Sequence, residues 1–319
     1  MAGASGRAWL VHVAIIAVLL VLQFVLPAYH HTSFSRIMVL ACFALGYNVL
    51  LGYTGLLSLG HAMFLAAGLY GTGLTIVYLG FGVPAAFFAG LFAGLCLALA
   101  VGLVALRTSG VAFMIVTLMF AQACFLLTLY FNDFTRGDEG FVLAAELRRW
   151  TVAGLALDLN EPTTRYNVAL LLFSSCVVGC LILARSAIGR VLIAIRENED
   201  RTALLGYPTF RYKLLALVVS GAMAGAAGAV YALLFGYVGA TFASIQYSIF
   251  PLLWVLLGGV GTTLGPFVGT LLMFYLVDIS SEFTSSYMLV VGAALVLLVL
   301  WFPQGILGSL RARWFVWLP

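Results

Sequence analysis

Few residues in this chain have the types and spacing for covalent chemistry, and each candidate fails on a specific count. Gly55-Leu56-Leu57-Ser58-Leu59-Gly60-His61 sets a serine three residues before a histidine, a pairing in which an imidazole can take a hydroxyl proton. Its order is G-x-x-S-x-G, whereas the nucleophile elbow needs G-x-S-x-G. The stretch GGVGTTLGP, Gly258 to Pro266, has the outline of a phosphate loop. Such a loop needs a lysine after its last glycine, and the chain's single lysine is Lys213. Cys176 and Cys180 share a helix face but have no His or acidic neighbour to complete a metal set. Cys42, Cys96 and Cys124 also lie in apolar runs, where a thiol packs as a small hydrophobe and gives no disulfide framework. Asn132, Asp133, Asp138 and Glu139 miss the spacing of a calcium loop. The sequence points to no enzyme, no metal and no cofactor.

Charge is more informative. Charged residues make up only 8% of the chain, yet AIRENEDRTALLGYP at 194–208 holds Arg196, Glu197, Glu199, Asp200 and Arg201, with Arg190 just upstream. A short helix over 196–205 is expected, stopped by Gly206 and blocked by Pro208. In it Glu197–Arg201 and Arg196–Asp200 fall four apart and can pair, beside a small apolar patch of Ala203 and Leu204. A solvated basic loop would also explain the charge. A docking helix for a soluble partner is the sharper alternative.

The elements that must present this patch are membrane helices. Hydrophobic residues reach 64% with 14% aromatics, more apolar surface than a soluble core of this size can hide. A crossing helix needs about 20 mostly apolar residues. Ten spans are expected, at 8–27, 34–51, 62–80, 83–106, 111–131, 166–184, 213–237, 246–258, 265–279 and 286–302. Gly-rich segments near 52–61 and 242–265 can be broken or re-entrant pieces. The first span follows Arg7, lacks an A-x-A cleavage pattern and is expected to stay. With the N-terminus inside, ten of the fifteen Lys and Arg residues collect on the cytoplasmic side. The expectation is one all-α polytopic permease-like domain over 1–319 with both termini cytoplasmic. It has an outer, periplasmic loop at 132–165, a cytoplasmic loop at 185–213 carrying the charged patch, and a cytoplasmic tail at 304–319. Trp150 and Pro162 suggest that part of the outer loop lies against the membrane surface.

Two further patterns bear on function. The 34 glycines include Gly90/Gly94, Gly221/Gly225 and Gly261/Gly265/Gly269, a spacing that lets helix backbones approach closely in lipid. No expected span has an acidic residue in its interior; Asp278 sits at a helix end and Glu282 in the next loop. Proton-coupled carriers use such a residue as the group that changes charge. Energy is therefore expected from elsewhere.

The ordered segments carry a resemblance. AIRENEDRTALLGYPTFRYKLLALVVSGAMAGAAGAVYAL followed by GGVGTTLGP is similar to LivM-type permeases of branched-chain amino acid ABC importers. So are GYTGLLSLGHAMFLAAGLYG, GVAFMIVTLMFAQ at Gly110–Gln122, TRGDEGF and FPQGILG, and together these cover about residues 38–308. The resemblance implies a bacterial inner-membrane subunit that forms a pathway with a second, LivH-like permease. Two cytoplasmic ATPases would drive it, and a periplasmic substrate-binding protein would deliver the solute. It also implies that an E-A-A-x-x-x-G element docks into the ATPase. Counting back from Gly206, Asp200, Arg201 and Thr202 stand at the E-A-A places, so both alanines are replaced. Coupling residues are then Arg196, Glu197, Glu199, Asp200, Arg201, Ala203 and Gly206, and polar pathway groups are Ser58, His61, Thr117 and Gln122. The surroundings are membrane lipid, and nothing points to nucleic acid. Related permeases serve importers of urea, short amides and other amino acids, so these stay open, as does a stand-alone secondary carrier or channel.

Overall fold

The computed structural model describes residues 2–152, 155–284 and 286–313. Helices dominate because backbone polar groups in long apolar runs have no partner but their own segment. The first half holds α1 (Ala2–Leu22), α2 (Ala28–Asn48, continued by a π-helical turn to Tyr53), α3 (Ala62–Leu79), α4 (Val83–Ala105) and α5 (Gly110–Tyr130). A loop follows with α6 (Asn132–Thr135), β1 (Phe141–Val142), β2 (Arg149–Val152) and β3 (Leu155–Asp158). The second half holds α7 (Pro162–Arg185), α8 (Ala187–Glu197), α9 (Glu199–Leu204), α10 (Thr209–Phe235), β4 (Tyr237–Val238), α11 (Ile245–Gly258), α12 (Gly265–Phe283), α13 (Tyr287–Trp301) and α14 (Ile306–Arg313).

Among the described residues, 7 helices are long and apolar enough to cross a membrane. They coincide with the second to seventh and the ninth expected spans. The first, eighth and tenth are shorter apolar helices, Trp9–Leu22, Ile245–Gly258 and Leu289–Leu298. The chain is an all-α polytopic membrane protein. Glu282, expected in a loop, lies in the last turn of α12, because that helix runs on to Phe283. Asp278 accepts a 2.7 Å hydrogen bond from the Tyr29 hydroxyl. Residues 314–319 of the expected tail lie outside the described residues.

Helix α10 is the hub, packed by α2, α3 and α4, and the glycines explain how. A Cβ on Gly68 would stand 2.0 Å from the Gly225 carbonyl oxygen, and one on Gly94 2.7 Å from Gly225 Cα. Three backbones meet there at distances only hydrogen side chains allow, so these pairs serve tight bundling. Helix α5 is the outlier: only 17% of its apolar window is buried, against 83% for the span that contains α2. Val111 and Met119 on α5 are 69% and 65% exposed.

Two stretches of non-helical backbone run inside the bundle, one entering from each end. At the end that carries α8 and α9, here the patch end, residues 54–61 turn back alongside α2. The Tyr47 hydroxyl donates to the Ser58 carbonyl at 2.9 Å, about 9 Å up α2 from Tyr53 at 1.5 Å per residue. At the loop end, Gly236 (φ 72) stops α10 in the left-handed region. β4 then pairs antiparallel with β1, Phe141 opposite Val238, and a 3-10 turn leads into α11. The two interruptions converge where α3 and α11 begin: Ala62 N–H donates to Ser248 Oγ at 3.1 Å. Irregular backbone at this depth is tolerated because protein, not lipid, surrounds it. The loop at 132–165 is more ordered than a solvated loop, since β2 and β3 form a hairpin fixed by Arg149–Asp158 at 3.0 Å. Its Trp150 and Leu157 line one mouth of an apolar groove of about 900 Å³ between α4, α7 and α10.

Candidate functional site

The charged patch does not fold as one helix over 196–205. Asn198 leaves helical geometry (φ −162, ψ 104) and caps the next helix, its side-chain oxygen accepting from Arg201 N–H at 2.9 Å. The expected four-apart pairs therefore do not form. Arg196 instead reaches Glu197 at 2.7 Å, and Glu199 takes Lys213 at 2.6 Å. A capping asparagine competes with the helix it interrupts, and the i, i+4 charge pattern conceals that break. Gly206 does act as a stop, at φ 89.

The result is a short helix α9 held from three directions. Asn198 caps it, buried Lys213 anchors its first residue, and Thr202, which is 3% exposed, turns inward to donate to the Asn198 carbonyl. Asp200, Arg201, Ala203 and Gly206 are left in solvent. With them stand Leu204 and Leu205, 88% and 77% exposed. Apolar side chains this exposed at the tip of a charged helix are the mark of a contact surface.

Arg196 ties this surface to the bundle. Its Nη1 donates to the Gly52 carbonyl at 2.6 Å, and its stem lies where a side chain on Gly55 would be. The two Gly-rich breaks meet at that point. Asn48 donates to the Thr262 carbonyl and accepts from Gly261 N–H, both at 2.9 Å. Gly52 packs directly on Gly261, and the backbones of Gly305 and Gly308 in the tail lie on Gly259. From α1, His12 hydrogen-bonds Thr263. Arg196, Thr262, Gln304 and Arg311 help line a cleft of about 630 Å³ beside this junction. Asn48, Asn198 and Lys213 escape a reading of the sequence. Of these only Asn48 stands near a glycine break, and nothing local marks the other two.

Of the four polar pathway candidates, three come together. Ser58, His61 and Thr117 are each fully buried. Thr117 Oγ1 accepts from Leu59 N–H at 3.2 Å, and Ser58 Oγ accepts from Gly60 N–H at 3.3 Å. With Ser248 on Ala62, the N–H groups that open α3 are satisfied by hydroxyls from several elements. His61, the residue before α3, stacks on Phe43 with centroids 5.1 Å apart, and neither ring nitrogen has a hydrogen-bond partner among the described residues. Gln122 lies elsewhere. Five residues beyond Thr117 on α5 it is turned by about 140° at 100° per residue, and it is half-buried. The arrangement buries three hydroxyls and an imidazole together within an apolar bundle, with the N–H groups at the start of α3 already satisfied. Among the described residues no cluster of metal-ligating side chains occurs.

Comparison with known proteins agrees with this architecture. A family model described as the permease component of branched-chain amino acid transport systems matches residues 31–300. The high-affinity branched-chain amino acid transport permease LivM of Salmonella typhimurium is 31% identical over 301 residues, 86% of this chain and 69% of that protein. LivM of Escherichia coli has the same identity and coverage. LivH of Salmonella typhimurium is 25% identical over 280 residues, 84% of this chain and 91% of that protein. No solved structure matches. The chain, with its family match spanning both breaks and the charged patch between them, belongs to the permease family of branched-chain amino acid transport systems.

Proposed function

We propose that this chain is the LivM-like membrane subunit of an ATP-driven importer for branched-chain amino acids, paired with a LivH-like permease in a bacterial inner membrane. The observation that carries the mechanism is the link from exposed α9 through Arg196 to Gly52. A partner that grips Asp200, Arg201 and the Leu204–Leu205 tip can move α8 and α9 as a unit. Arg196 then transmits that motion to the junction of the two breaks. ATP binding in separate subunits would supply the free-energy difference between two arrangements of the bundle, so this chain needs neither an ATPase site nor a titrating residue on its route.

In this scheme the three shorter apolar helices also cross, giving ten spans with both termini and the patch in the cytoplasm. Segment 132–165 faces the periplasm and receives a substrate-binding protein. Ser58, His61 and Thr117 line the route, and Gln122 on the exposed face of α5 is available to the second permease. The ATPase docks on Asp200, Arg201, Ala203 and Gly206, while Arg196, Glu197 and Glu199 position that surface.

The test is co-purification. Leu204→Arg and Asp200→Lys are expected to lose the ATPase subunits while the variant permease keeps its melting temperature. Full solute uptake by this chain alone in liposomes, without any ATPase, overturns the proposal.

A further inference from the structure

Three arginines converge at the loop end of α10, and none of them is in an ion pair among the described residues. The Arg36 guanidinium, from α2, lies 5.0 Å from the centre of the Phe235 ring, and that of Arg165, from α7, lies 5.7 Å from the same ring. Arg148, from the outer loop, donates to the Leu234 carbonyl at 3.3 Å and covers Gly236. Arg165 bonds the Asn160 carbonyl at 3.3 Å. Nε of Arg36 and Nε of Arg148 are buried without a hydrogen-bond partner among the described residues. Asp278 is engaged by Tyr29, two turns from Arg36, and Asp158, the acidic group that acts on Arg148 through space, is paired with Arg149.

Capping explains only part of this. The C-terminus of a helix carries about half a negative charge, enough to hold one arginine, whereas three full positive charges are gathered around it. The cluster lies between α2, α7 and α10, roofed by the loop that supplies Arg148. From it a run of aromatic rings descends into the bundle. Tyr231 stands 4.6 Å from Phe235 and 4.9 Å from Phe242, and Phe242 stands 4.9 Å from Tyr247. Tyr247 is the neighbour of Ser248, which bonds the start of α3 beside His61.

We infer that Arg36, Arg148 and Arg165 form a binding site for the carboxylate of a small zwitterion at the loop end of the route, with the aromatic run below it receiving the ammonium and the aliphatic side chain. A guanidinium fork matches a carboxylate, and aromatic faces attract an ammonium while tolerating a hydrocarbon chain. The three arginines are each half-buried around the end of α10, and the phosphatidylglycerol arm of the test separates a solute carboxylate from a lipid phosphate. The inference rests on the importer proposal, since it supplies a zwitterion to bind.

The test uses the assembled complex with its ATPase subunits, in detergent and without binding protein, probed with labelled leucine and with leucinamide. Wild type is expected to bind leucine and to bind leucinamide at least tenfold more weakly. Arg36→Gln and Arg165→Gln are each expected to weaken leucine at least tenfold and leave leucinamide unchanged, with Arg36→Lys intermediate. Melting temperatures identify folded variants, and Arg165→Gln serves if Arg36→Gln fails. Equal binding of leucine by folded wild type and both glutamine variants overturns the inference. So does retention of phosphatidylglycerol by wild type but not by the variants when leucine binding is unaffected. Absence of ATP-driven leucine uptake by the wild-type assembly would instead defeat the importer proposal.

Discussion

Replacing Arg196 with alanine separates transmission from docking. The guanidinium makes a 2.6 Å bond to the Gly52 carbonyl, and its side chain is 35% exposed. A hydrogen bond with a charged donor is worth about 1.5–3 kcal/mol. At 1.36 kcal/mol per factor of ten, that is a bias of about 10- to 150-fold between two arrangements of the junction. Partial exposure places the expected value toward the lower end. The α9 surface does not include this bond, so the Arg196→Ala complex should still assemble with its ATPases. In proteoliposomes it should hydrolyse ATP at near the wild-type rate while moving about tenfold less solute per ATP. Arg196→Lys keeps a donor near Gly52 but loses the fork onto Glu197, and should fall between. The reasoning is refuted if Arg196→Ala transports as much solute per ATP as wild type. It is equally refuted if uptake and hydrolysis fall together because the ATPase no longer binds.

Other outcomes follow from particular contacts. Gly68→Ala sets a methyl against the Gly225 carbonyl at 2.0 Å and should cost at least about 1–3 kcal/mol. It is read as lower yield and melting temperature in detergent, whereas Gly179→Ala, with nothing within 4 Å, should be neutral. Glu199→Ala strands the buried Lys213 ammonium, and because Glu199 itself is 39% exposed the expected loss is about 2–3 kcal/mol, below the usual buried-pair cost. The double variant Glu199→Leu/Lys213→Met should recover most of it, and hydrogen exchange across α9 reports both. In the β2–β3 hairpin, hydrogen bonds from the Asn160 backbone and side chain, helped by Arg149, hold the Asp158 carboxyl below the usual carboxylate range. A depressed folded value means that this support is complete above an unfolded value of about 3.9. It is lost only as pH falls through the lower folded value, so exchange protection of the hairpin should be flat from pH 7 to 5, and opening in that interval would contradict the assignment.

Hydropathy located the 7 helices long and apolar enough to cross a membrane to within about five residues at either end, because lipid leaves long apolar runs one solution. The glycine pairs likewise read through to backbone contacts. The gap between the seventh and eighth expected spans is also observed, but its antiparallel pairing with β1 was not foreseen, since nothing in GYVGATFAS marks a strand. The break at Asn198 was hidden for a different reason. Glu197, Glu199, Asp200 and Arg201 keep a helical charge rhythm, and one capping amide overrides it. That Ser58, His61 and Thr117 are buried was legible because each is a polar residue in an apolar run. The arginines around Phe235 escaped because they come from three distant stretches, and only the folded chain brings them together.

Lys213 is the chain's sole side-chain amine, and it is 6% exposed beneath Glu199. Amine-directed reagents, applied to the intact complex, will therefore find no lysine on this subunit while α9 is seated. Modification of Lys213 becomes a covalent record of each time the patch lifts away, readable by mass spectrometry without adding a probe.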